Sequence, residues 1–130
     1  MKNEICTMTI EEYKKLSPVI KLNNCFVVNI DGEKVNNKIT LFETLMTEFS
    51  LPDINGWDSA SDWMTDLGWI KAKNFQLNIH NFSSFLENDM ESKRIFMEML
   101  SEDVLPFWEK EVLTTVVEGE TKGFDVYCLD

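Results

Sequence analysis

One stretch narrows the possible folds more than any other: CFVVNIDG, Cys25 to Gly32, an almost unbroken apolar, β-branched and aromatic run closed by an Asp-Gly turn. A strand with one wet face alternates apolar and polar residues. A run without alternation suits a strand covered on both faces, as in a parallel sheet layered with helices. The remaining pattern supplies those helices. Thr9 with Glu12 has the form of a capping box opening a short helix that stops near Pro18, and Thr40 with Glu43 opens a second. Leu41, Leu45, Met46 and Phe49 recur there at helical spacing until Pro52. Asp58 is placed to cap a third helix that ends around Gly68.

FQLNIHNF, Phe75 to Phe82, alternates and reads as a strand nearer a sheet edge than the first, with Asn78 and His80 on one face. From Ser84 to about Glu111 the pattern is helical, with a kink or break expected at Pro106. Residues 112–123 form either an irregular connection or a short hairpin-like excursion, and FDVYCLD closes as a strand. Strands alternating with helices require crossover connections and hence a parallel sheet, and 130 residues suffice for one domain with one core.

The 23 acids against 12 bases leave a formal net charge of −11, which repels phosphate backbones and anionic membranes and speeds encounter with a basic protein. Direct nucleic-acid binding is disfavoured. Cys6, Cys25 and Cys128 have no metal-ligand spacing and are odd in number, which fits a reducing compartment. The N-terminal residues lack a secretory apolar stretch, and no eighteen apolar residues run together. A cytoplasmic protein is expected.

The charge is unevenly spread. Between Lys38 and Lys71 stand Glu43, Glu48, Asp53, Asp58, Asp62 and Asp66, with no Lys or Arg among them. On a helix at about 100° per residue, Ala60, Trp63, Met64 and Leu67 form one apolar face, and Asp58 and Asp62 point away from it. Ser61 and Thr65 lie between the acids and the core edge. Charged outer faces are the rule for surface helices, so these acids could simply solvate one. As an acid–base pair, or as metal ligands with His80, they would need a cleft, whereas this face is expected to be convex and open. DINGWD resembles the start of a calcium loop, but its Gly comes fourth rather than sixth, and Met64 stands where a bidentate Glu is required. Calcium binding by that motif is excluded, and no metal, cofactor or catalytic residue is assigned. Trp57, Trp63 and Trp69 are expected to be mostly core, with Trp57 partly exposed.

LPDINGWDSASDWMTDLGW, Leu51 to Trp69, resembles the barstar family, intracellular inhibitors of barnase-type ribonucleases. The likeness lies in Leu-Pro after an amphipathic helix, a turn containing Gly, and Asp58-x-x-x-Asp62-x-x-Thr65 on the next helix. VVNIDGEKV, LFETLMTEF and FDVYCLD fall in the family's order. The resemblance covers about residues 25–130 and leaves 1–24 as an N-terminal extension with a short helix. It implies a three-layer α/β/α domain with a small, three-stranded parallel sheet.

It further implies an inhibitor rather than an enzyme: a cytoplasmic immunity protein of a toxin system that binds a basic nuclease toxin one to one and blocks its active site. Asp62 matches the phosphate mimic, Asp58 the second acid, and Thr65 a polar contact; Asn55 and Gly56 match the turn covering the cleft, with Trp57 and Ser61 as neighbours. The turn is two residues shorter than in the family's type member, and Ser61 replaces a tryptophan. The family's acid from the last helix has no clear match in Glu109 or Glu111. An alternative is a barstar-fold interaction module with a non-nuclease partner, engaged through the N-terminal helix or residues 112–123.

Overall fold

The computed structural model describes residues 2–20 and 24–130. Four parallel strands, β1 (Ile5–Met8), β2 (Cys25–Asp31), β3 (Asn74–His80) and β4 (Gly123–Leu129), form one sheet in the order β1-β4-β3-β2. The expected three-stranded sheet is therefore corrected to four strands. The added β1 is ICTM, too short to be recognised by alternation, and long-range contacts hold it in place. Buried Asn3 donates from Nδ2 to the Leu105 and Lys122 carbonyls at 3.1 and 3.2 Å and accepts from Phe124 N–H at 3.0 Å. The Asn3 N–H itself donates to Glu109 at 2.7 Å.

Crossover handedness distributes the helices. The path β2 to β3 to β4 steps one way across the sheet, and β1 to β2 steps the other way. Right-handed crossovers therefore place the first helix, α1 (Ile10–Ile20), on the face opposite the rest. α1 opens on the expected capping box, with Thr9 N–H donating to Glu12 and Glu12 N–H to Thr9 Oγ1, both at 3.1 Å. α2 (Lys38–Glu48) is capped instead by Asn37, which accepts from Thr40 N–H at 2.9 Å. α2, α3 (Trp57–Met64) and the long C-terminal helical stretch share one core with Val28, Ile30, Phe75, Leu77, Ile79, Phe124 and Val126. The result is the expected α/β/α layering.

β3 is internal and β2 is the edge strand, the reverse of the order expected from their patterns. The central polar residues of β3, Gln76 and Asn78, are not solvent-facing; they form a hydrogen-bonded layer beneath α1. Gln76 and Asn78 are 3% and 1% exposed, and both donate to the Tyr13 hydroxyl, at 2.8 and 3.0 Å. Asn78 also donates to Asn29, and His80 Nε2 lies 2.9 Å from the same oxygen. Satisfied in this way, side chains that would be costly to bury line the middle of the sheet.

The C-terminal stretch begins with α4 (Met90–Met99), passes through π-helical turns at Leu100–Val104 and Phe107–Glu111, and ends in α5 (Val112–Thr115). Pro106 lies between the two π turns with helical dihedrals, φ −64° and ψ −34°. Proline cannot donate to the ladder and its ring crowds the preceding turn. The chain widens on either side and stays helical rather than breaking. Helix thus reaches further than expected, to Thr115, and only residues 116–122 are irregular.

Candidate functional site

α3 begins at Gly56, which offers no side-chain cap. Ser59 stands in for one: its Oγ accepts from Asn55 N–H and donates to the Gly56 carbonyl, both at 3.0 Å. Asp58 is therefore not the cap but a first-turn acid, favoured there by the helix dipole. At the other end Thr65 donates to the Ser61 carbonyl at 2.9 Å, and the chain reverses at Leu67 rather than at Gly68. Leu67 takes a left-handed φ of 50°, and burial of its side chain offsets the strain. Ala60, Met64 and Leu67 are buried, whereas Asp58 and Asp62 are exposed, the division expected from helical spacing.

The acidic face is not convex. It forms one wall of a groove of about 500 Å³ whose other wall is α4 and the first π turn. Trp57, Asp58, Ser61 and Asp62 face Glu98, Glu102 and Asp103 across a floor that includes Ile95 and Met99. Ser61 Oγ donates to Asp103 Oδ2 at 3.3 Å, tying the walls together. No Lys or Arg among the described residues lines this groove. The nearest base in sequence, Arg94, pairs with Glu98 one turn away at 3.1 Å. Five carboxylates thus share a concave surface, a field that concentrates cations.

Sequence reasoning missed the acids of the second wall. Glu109 is held by Asn3, and it is Glu98, Glu102 and Asp103 that face α3. The available signal was the i, i+4 spacing of Glu98 and Glu102 beside the apolar stripe. Of the expected contact residues, the structure gathers Trp57, Asp58, Ser61 and Asp62 in the groove. Thr65 lines an adjoining cavity, and Asn55 and Gly56 form the turn at the start of α3. Trp57 packs edge-on against Phe42, ring centroids 4.9 Å apart. Trp63 and Trp69 form a second edge-on pair with centroids 5.8 Å apart, and Trp69 is 41% exposed, so these rings clamp α3 at the surface rather than fill the core. The core tryptophan is Trp108, whose indole donates to the Met64 carbonyl at 3.0 Å.

His80 lies on the α1 side of the sheet and cannot join Asp58 or Asp62. No three His, Cys, Asp or Glu among the described residues are grouped so as to hold a metal ion. Cys25 and Cys128 lie on opposite faces of the sheet. Burial raises the pKa of both thiols, that of Cys128 to about 11. No described helix is long and apolar enough to cross a membrane.

Two helices of an α/β domain thus frame an acid-lined groove in which only Glu98 has a paired base, Arg94. The model of one family, described as barstar (barnase inhibitor), matches residues 25–120. The chain belongs to the barstar family, whose members are nuclease inhibitors rather than enzymes. No curated protein and no solved structure matches it.

Proposed function

We propose that this protein is a cytoplasmic immunity protein that binds a basic nuclease toxin one to one and occludes its active site with α3. One observation carries the reading: the groove in which Asp58 and Asp62 face Glu98, Glu102 and Asp103, with no Lys or Arg in its lining and only Glu98 paired, to Arg94. A nuclease gathers Arg, Lys and His to hold an anionic substrate, and a preassembled set of carboxylates competes for those groups. Asp62 is the phosphate mimic and Asp58 the second anchor. Glu102 and Asp103 supply the acids from the last helix, and Asn55, Gly56, Trp57, Ser61 and Thr65 border the contact. Residues 25–130 form the inhibitory domain, and residues 1–24 are an addition whose strand extends the sheet. The protein performs no chemistry of its own in this role.

The test is titration of a barnase-type ribonuclease, and of any nuclease toxin encoded beside this gene, with the purified protein. Stoichiometric loss of nuclease activity at one equivalent is expected. Undiminished cleavage by all of them at excess protein would refute the reading.

A second reading, an interaction module for a non-nuclease protein, draws support from the exposed apolar side chains Leu113, Val116 and Val117. A stable complex with such a partner, together with failure to inhibit any nuclease, would favour it.

A further inference from the structure

A second cavity lies past the acidic groove, at the end of α3. α3 and the C-terminal helical stretch run side by side: Asp58 and Ile95 line the groove, Ser61 bonds to Asp103, and Trp108 bonds to the Met64 carbonyl. Beyond that bond the seam opens into a cavity of about 560 Å³ between the turn after α3 and the second π turn with α5. Its walls are mainly apolar, including Leu67, Ile70, Phe107, Val112 and Val116, with Asp66 and Glu120 also among its lining. The one cation lining it, Lys122, is engaged, donating from Nζ to the Ala72 carbonyl and lying over the Phe75 ring. Val117, 93% exposed, and Leu113 extend the apolar surface outside it. Two physically different sites therefore lie end to end along one seam, first carboxylates and then an apolar hole bordered by carboxylates.

We propose that this cavity is a second anchor point on the docking face, which receives an aromatic or large aliphatic side chain of the partner flanked by Lys or Arg. Charge complementarity selects this occupant. A partner drawn to the five carboxylates is basic along its contact surface, and Asp66 and Glu120 continue that preference around the hole. The groove governs encounter, and the cavity excludes water around an inserted side chain and slows departure. The proposal rests on the acidic face of α3 being the docking face.

It can be tested without any nuclease, by following backbone amide resonances while three blocked tripeptides are added: Lys-Trp-Lys, Lys-Ser-Lys and Glu-Trp-Glu. Lys-Trp-Lys is expected to shift Ile70, Val112 and Val116 together with Asp58 and Asp62. Lys-Ser-Lys should move the acidic groove alone, and Glu-Trp-Glu should bind at least about tenfold more weakly. Thr115→Trp, which fills the mouth from an exposed position, should abolish the cavity shifts while leaving the rest of the spectrum dispersed; Val116→Arg should do the same by placing a like charge at the rim. The proposal is overturned if Lys-Trp-Lys leaves the cavity resonances unmoved, or if Glu-Trp-Glu binds as well. Cavity resonances that shift with protein concentration alone would also overturn it, because the occupant would then be a second copy of this chain. These outcomes are separate from nuclease inhibition: a nuclease bound normally by Thr115→Trp refutes the cavity anchor and leaves the immunity reading intact.

Discussion

Replacing Trp108 by Phe removes the latch between the last helix and α3. The indole is 4% exposed, donates to the Met64 carbonyl at 3.0 Å, and packs against Phe75 and Phe107 with centroids 5.7 and 4.9 Å away. Leaving that buried carbonyl unpartnered costs about 1–3 kcal/mol. The smaller ring leaves a void of roughly 30 Å³, which at about 24 cal/mol per Å³ adds a little under 1 kcal/mol, for a total of about 2–4 kcal/mol. With a urea dependence of about 2 kcal/mol per M, the middle of the usual range, the unfolding midpoint followed by circular dichroism should fall by about 1–2 M. Trp69→Phe is the control, because its indole bond to the Phe49 carbonyl lies beside solvent and water can replace it. If Trp108→Phe moves the midpoint no further than Trp69→Phe does, the latch is not what holds the two walls together.

Tyr13→Phe should destabilise the protein by about 1–2 kcal/mol, because the buried amides of Gln76 and Asn78 both donate to its hydroxyl; an unchanged thermal midpoint would show that α1 contributes little to the sheet. Asp89 accepts from Ser92 N–H and Lys38 N–H, and its hydrogen bonding with Ser92 holds its pKa below the ordinary carboxylate value of 3.8. The stability it supplies is therefore complete above that value and is lost as pH falls through the lower folded pKa. Asp89→Ala should lower the melting temperature at pH 7, and the gap from wild type should close in acid. Alkylation of the native protein at pH 8 should modify Cys25 faster than Cys128, whose thiol burial pushes up to about 11; in urea the two should react alike.

Local pattern exposed much of this molecule. The strand at Cys25–Asp31, the capping box at Thr9 and Glu12, and the apolar face of α3 each follow from neighbours a few residues apart and stand in the structure, although that strand lies at the sheet edge with only Val28 and Ile30 buried rather than covered on both faces. What was misread depended on distant partners. β1 is four residues of unremarkable sequence that become a strand because β4 offers an edge and Asn3 fastens the chain to Leu105, Lys122 and Phe124. The alternation in β3 suggested an edge because nothing in FQLNIHNF reveals that Tyr13 will satisfy its amides from above. The same limit applied at the site. Asp58 and Asp62 were visible as a pair on one helix face, whereas the opposing Glu98, Glu102 and Asp103 enter only through helix packing. That second wall turned an expected convex face into a groove.

The proposed immunity role is tested most directly by association of the protein with a nuclease toxin encoded beside its gene, measured by stopped flow at rising ionic strength for wild type and Asp62→Ala. Carboxylates that steer and anchor a basic partner predict an association rate that falls steeply with salt, and at least about a 30-fold loss of affinity in Asp62→Ala while its unfolding curve stays that of a folded domain. An association rate indifferent to salt, together with wild-type affinity in Asp62→Ala, would contradict it.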